Sequence, residues 1–154
     1  ALNLKHSYLD PNHLSQPVVF IGLLKGSFMF FSDLVKKLNF NIVIDFMHIS
    51  SYISEGNQGK VKIKKNIETD IKGKMVYIVD DILDSGNTMS AVLELLSKEN
   101  PLQLNVVTLL KRKSSPTLKA THYNGFLIND EWLYGYGFNN DEGYCRNYPY
   151  LLSN

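Results

Sequence analysis

Between Val76 and Thr88 the chain reads VYIVDDILDSGNT, and it carries three carboxylates, at Asp80, Asp81 and Asp84, beside Ser85, Gly86, Asn87 and Thr88. Small polar residues with a glycine ahead of a helix form an anion site. The unpaired N–H groups and the dipole of the helix start attract negative charge, and glycine lets the backbone come close. Helix capping would account for one of Asp84, Ser85 and Thr88. It would not account for two adjacent aspartates, which repel each other unless a partner holds them. Sugar hydroxyls or a magnesium ion suit that pair.

These residues need elements to position them. Met75–Val79 is an apolar run that reads as a buried strand ending at Asp80-Asp81. Met89, Val92, Leu93 and Leu96 then fall on one helical face, with Pro101 beyond the end. VVFIGLL (18–24) and NVVTLL (105–110) read as further buried strands, and NIVIDFMHI (41–49) as a fourth. FMFFSDLVKKL (28–38) has helical spacing, VKIK (61–64) alternates as a half-exposed strand, and NGFLI and LYGYGF are strand candidates in the tail. Alternation of strand and helix predicts a single α/β domain over 1–154, with a central, mostly parallel sheet flanked by helices. In such sheets ligands bind beyond the carboxyl ends of the strands.

Two further strand ends carry charge. Lys25-Gly26-Ser27 lies between a buried strand and a helix start, so it offers N–H groups and a cation to an anion; an ordinary strand-to-helix turn with a surface lysine reads equally well. Lys111 closes NVVTLLKRK, where a solvated basic turn is the plainer reading.

Bulk properties narrow the class. With 154 residues, 44% hydrophobic and 20% charged, the chain is ordinary globular material. A net charge of +1 argues against a nucleic-acid binder. The single cysteine permits no internal disulfide and suggests a reducing, cytoplasmic setting. No apolar run is long enough for a bilayer, so no membrane partner is expected. The histidines at 6, 13, 48 and 122 lack the spacing of a zinc site.

VYIVDDILDSGNT resembles the phosphoribosyl-diphosphate signature of the type I phosphoribosyltransferases. The resemblance implies that Asp80 and Asp81 bind the ribose hydroxyls, while Asp84, Ser85, Gly86, Asn87 and Thr88 wrap the 5′-phosphate. Family members acting on adenine, orotate or uracil carry a non-acidic residue where this chain has Asp84, so the aspartate points to the 6-oxopurine branch. IGLLKGSFMFFSDLV is similar to the pyrophosphate loop and following helix of the hypoxanthine-guanine members, which implies pyrophosphate contacts at Lys25 and Gly26 and a cis peptide at Leu24-Lys25. Lys111 matches the lysine that donates to the purine O6. In EWLYGYGFNNDEGYCRNYPYL, Trp132 matches the aromatic that stacks on the base, although a core aromatic is the commoner fate of a lone tryptophan. Leu133 matches the backbone contact to the base, and Arg146 a pyrophosphate-binding arginine. HISSYISEGNQGKVKI resembles the flexible hairpin lid, with Ser51 and Tyr52 at its root.

The likeness covers about Val18 to Leu152 and implies a 6-oxopurine salvage transferase. Its substrates would be a purine base and phosphoribosyl diphosphate, and Asp84 would be the proton acceptor. It further implies magnesium held by Asp80 and Asp81, a homodimer or homotetramer, and a small hood built from the termini. The pattern departs in one place: an aspartate usual in the family is Asn139 here, followed by Asn140 and Asp141 with one extra residue before Arg146. Metal contact at that edge would fall to the Asn139 amide oxygen or to Asp141. Two rivals are a nucleotide-binding regulator on the same scaffold that contacts RNA, and a phospho-acceptor receiver domain, which gives no reason for LKGS or DSGNT.

Overall fold

Strict alternation of apolar side chains sends neighbouring residues of one strand to opposite faces of a sheet. Strand β1 (Val18–Leu24) does this with almost nothing but buried residues. Val19, Ile21 and Leu23 join one apolar cluster, Val18 and Phe20 the other, so β1 is covered on both sides. A strand buried on both faces belongs inside a parallel sheet. A computed structural model, which describes residues 17–51 and 61–153, places it there.

The other elements are α1 (Phe28–Val35), β2 (Ile42–Ser51), β3 (Val61–Lys65), β4 (Met75–Leu83), α2 (Asn87–Ser97), β5 (Gln103–Arg112), β6 (Thr121–Ile128), β7 (Leu133–Tyr134) and β8 (Leu152–Ser153). Six strands form one sheet in the order β3-β2-β1-β4-β5-β6, parallel except for β3, which runs antiparallel to β2. Helix α1 packs Phe30, Phe31 and Leu34 on one face of the sheet, against Phe20, Tyr77 and Val79. Helix α2 packs Met89, Val92 and Leu96 on the other, against Ile21, Ile78 and Val106. Each such fully buried aliphatic side chain contributes about 1.5–3 kcal/mol. β7 and β8 form a separate two-stranded ribbon at the carboxyl end, the described part of the expected hood. The amino-terminal part of that hood, and residues 52–60 of the expected lid, lie outside the described residues. Ser51 ends β2 and pairs with Val61, and the β2–β3 register shifts between His48 and Ile49.

Strands β2, β3, β5 and β6 differ from the sequence reading by one to three residues at an end, and three larger differences bear on the site. β4 runs on to Leu83, past the acidic pair, because Asp80, Ile82 and Leu83 keep pairing with Thr108, Leu110 and Lys111 on β5. α1 stops at Val35, and single turns through Lys37 and Leu38 follow it. LYGYGF is strand only at Leu133–Tyr134, since Gly135, Tyr136 and Gly137 all take positive φ (88°, 49° and 103°), a run that no strand accommodates.

Candidate functional site

The chain reverses direction across the sheet between β1 and β4, the neighbouring parallel strands from which the order runs outward to both edges. Their pairing ends at Gly22 and Val79, so beyond that point the two strand ends separate and a crevice opens.

On the β4 side stand Asp80 and Asp81. The Asp81 N–H donates to Asp80 Oδ1 at 3.0 Å and the Ile82 N–H to Asp81 Oδ1 at 2.8 Å, which fixes both carboxylates at the strand end. Desolvation, and then the charge of its neighbour, pushes Asp80 well above the ordinary carboxyl range. Desolvation also raises Asp81, against the opposing pull of its hydrogen bonds and of the Arg146 guanidinium. Two crowded carboxyls with raised proton affinity await a proton, a hydroxyl or a cation. Among the described residues no group of three or more His, Cys, Asp or Glu side chains could hold a metal ion. Two carboxylates do suit an ion such as magnesium, which usually takes one or two and completes its shell with water and substrate oxygens.

On the β1 side the peptide Leu24-Lys25 is cis, as the resemblance implied. Lys25 is exposed at the turn. Gly26 lies so near the acidic pair that a Cβ there would overlap the Asp81 carboxylate. Ser27 is fully buried, and its hydroxyl donates to the Leu23 carbonyl at 2.6 Å, which ties the loop back to the strand. From the far end of the sequence Gly137 meets the same loop, and a Cβ on it would overlap the Gly26 carbonyl oxygen. Arg146 holds that segment: its guanidinium donates to the Gly137 carbonyl at 2.6 Å and to the Asn139 amide oxygen. The Asn139 amide nitrogen donates to the Asn140 carbonyl at 2.7 Å, so both ends of this amide are engaged, whereas Asp141 is exposed. A cleft of about 520 Å³ opens beside these groups, with Lys25, Phe28, Cys145 and Arg146 in its wall.

The anion loop follows β4. Gly86 caps α2 with φ 78°, and no side chain caps the helix, so the first N–H groups of α2 have no side-chain acceptor from the N-cap. Ser85 and Asn87 are exposed and Thr88 half-buried. A Cβ on Gly86 would come within 2.6 Å of Pro116, and Ser115 donates to the Leu83 carbonyl at 2.6 Å, so the β5–β6 connection braces the loop from outside.

Lys111 is half-buried at the end of β5, beside Leu83. Trp132 is 53% exposed, which removes the core-aromatic reading and leaves its face open. Leu133 lies in β7, paired with Ser153. Asp84, with 64% of its side chain exposed, accepts from Arg112 Nε at 3.1 Å. Sequence reasoning missed Arg112, because KRK read as a solvated turn. In fact its side chain is only 13% exposed, while Lys113 turns outward to the Asn129 amide oxygen at 2.8 Å. It also missed Gly137, which GYG could have signalled, and Ser115 and Pro116, for which no local signal exists.

Residues 9–141 match the phosphoribosyl transferase domain family. The chain is 43% identical over 136 residues to the hypoxanthine phosphoribosyltransferase of Escherichia coli (strain K12), an alignment that covers 87% of this chain and 76% of that protein. A crystal structure of a hypoxanthine phosphoribosyltransferase from Staphylococcus aureus superposes with a TM-score of 0.83 at 37% identity, over 93% of this chain and 78% of that one. The hypoxanthine phosphoribosyltransferase of Trypanosoma cruzi, in complex with the product IMP, does so with a TM-score of 0.80 at 29% identity, over 91% and 76%. With an acidic pair, an anion loop and a cationic turn meeting at one crevice, and with these relatives, the chain belongs to the phosphoribosyltransferase family, within its hypoxanthine-guanine branch.

Proposed function

We propose that this enzyme moves ribose 5-phosphate from phosphoribosyl diphosphate to a 6-oxopurine, hypoxanthine or guanine, releasing IMP or GMP and pyrophosphate. The observation that carries the reading is the convergence of Asp80-Asp81, Gly26 and Arg146 at the crevice between β1 and β4.

The residues divide the ligand among them. Ser85, Gly86, Asn87 and Thr88, with the Asp84 backbone, take the 5′-phosphate on the start of α2. Asp80 and Asp81 take the ribose hydroxyls, and their charge favours the cation that develops at C1′. Lys25, the Gly26 backbone and Arg146 receive the pyrophosphate. Lys111 donates to the purine O6, Trp132 stacks on the ring, and the Leu133 backbone meets the base edge. As N9 bonds to C1′, the bond from C1′ to the pyrophosphate oxygen breaks, its electron pair leaves with pyrophosphate, and the purine proton passes to Asp84. Asp80 and Asp81 are the residues that would hold magnesium, whereas the Asn139 amide oxygen is already taken by Arg146; when bound, the ion supplies positive charge to the leaving pyrophosphate. Ser51 and Tyr52 would root a lid that keeps water from the reacting centre.

A homodimer or homotetramer fits the apolar side chains that edge strand β6 exposes at Phe126 and Leu127. Light scattering on the purified chain tests that assembly, and a monomer would refute it. Steady-state kinetics with hypoxanthine, guanine and xanthine, each with phosphoribosyl diphosphate and with or without magnesium, test the function. Turnover of an oxopurine is expected, dependent on the ion; none with any oxopurine would overturn the reading.

A further inference from the structure

Arg112 makes contacts that a lysine-like surface residue would not. Its Nε meets Asp84 Oδ1 at 3.1 Å, while one terminal nitrogen donates to the Asn129 carbonyl at 2.7 Å and the Glu131 carbonyl at 3.2 Å. Asp84 lies between β4 and α2, whereas Asn129 and Glu131 lie between β6 and β7, next to Trp132. Arg112 itself sits at the last register position of β5, opposite Ile128, so its backbone is fixed by the sheet. One largely buried, planar guanidinium thus joins two segments that no backbone pairing among the described residues connects.

An exposed ion pair contributes little and leaves its acid mobile. Asp84 is such an exposed acid, but its partner is held on the other side by two carbonyls and cannot follow it into solvent. The fork of an arginine transmits that fixation in a way a single ammonium cannot. We propose that Arg112 is a positioning residue for the transfer: it sets the Asp84 carboxylate against the segment that presents Trp132 and Leu133 to the purine. This rests on the reading of Asp84 as the proton acceptor. Misplacing a reacting group by a fraction of an ångström to one ångström costs rate rather than fold. The Arg112 charge also reaches Glu131, whose carboxyl is held low chiefly by its own backbone N–H, with Asn129 and Arg112 adding to it.

The test is a double-mutant cycle on the full chain, with purine and phosphoribosyl diphosphate as substrates. Arg112→Lys keeps the charge and is expected to lower kcat about 10- to 100-fold and raise KM for the purine several-fold, with KM for phosphoribosyl diphosphate within about two-fold. In an Asp84→Asn background the same change should lower kcat by less than about three-fold, because the proton acceptor it positions is already gone. A second variant, Arg112→Gln, guards against loss of fold in the first, and thermal midpoints of all variants are measured alongside. Parent-like kinetics in both Arg112 variants, or losses that multiply in the double variant, would overturn the positioning role. If Asp84→Asn itself keeps parental turnover, the acceptor reading fails and this inference with it. Those two failures are read from different arms of the cycle.

Discussion

Asp80 and Asp81 are two residues whose energetics run against their function. Desolvation raises both carboxyls of the pair, and their proximity adds to it at Asp80. A raised folded-state pKa means that the folded chain binds protons more tightly than the unfolded one. Its stabilising contribution is therefore complete below the ordinary carboxyl range, about 4, and is lost as pH rises through the raised value. The chelator-treated protein should lose thermal midpoint as pH climbs above that range, and Asp80→Asn should flatten the slope while abolishing most turnover. Adding magnesium with phosphoribosyl diphosphate should restore the midpoint at the higher pH in the parent but not in the variant. A slope identical in parent and variant would show that the pair is not strained. This acidic doublet was readable in the sequence because only a ligand explains it. Arg112 was not, because a cation at a strand end looks the same whether it points into solvent or back into a carboxylate.

At the scale of elements, the β2–β3 hairpin and the segment after it are held together by one acid. Asp45 on β2 is buried, and it accepts the N–H groups of Phe46 at 2.6 Å, Glu68 at 2.7 Å and Thr69 at 2.8 Å, with Lys65 at 3.7 Å. Burial opposes its charge, yet the backbone donors win and hold its carboxyl below the usual value. Here the sign is the reverse: the stability is present above about pH 4 and fades as pH falls through the lowered value. Asp45→Asn should cost about 2–3 kcal/mol at neutral pH, the scale of hydrogen bonds to a buried charge, and the gap to the parent should narrow near pH 3. Denaturant titrations at the two pH values check this, and equal gaps would refute it. Periodicity made β1, the core of β4, α2 and β5 legible, since their apolar spacing is strong and local. It misplaced the end of β4, because pairing with Thr108 and Lys111 outweighs the polarity of the acids. It misjudged LYGYGF, where the two glycines in three residues were the better guide than the aromatics.

The whole molecule assembles its crevice from segments that only tertiary structure brings together. Tyr136 donates to Asp33 on α1 at 2.7 Å across 103 residues of sequence, and desolvation with that hydrogen bond pushes the tyrosine up to about 12. Gly137 seats against Gly26, and Arg146 clamps the same turn. No window of sequence contains such contacts, which is why the strand-end motifs could be found one by one while their common destination rested on the rule for parallel sheets. A ligand that touches β1, β4, the start of α2 and the carboxyl-terminal segment at once should therefore stabilise the entire cooperative unit. At 100 times its dissociation constant a ligand adds about 2.7 kcal/mol, or roughly 5–10 °C for a domain of this size. Phosphoribosyl diphosphate with magnesium should give that rise in a thermal scan. Hypoxanthine alone should give much less, because it would meet Asp84, Lys111, Trp132 and Leu133 and leave the β1 turn and Arg146 unbridged. In Arg146→Ala the diphosphate shift should shrink by half or more while the inorganic-phosphate shift, which depends on the α2 start, stays as in the parent. Equal diphosphate shifts in parent and Arg146→Ala would mean that the carboxyl-terminal segment does not close on the ligand.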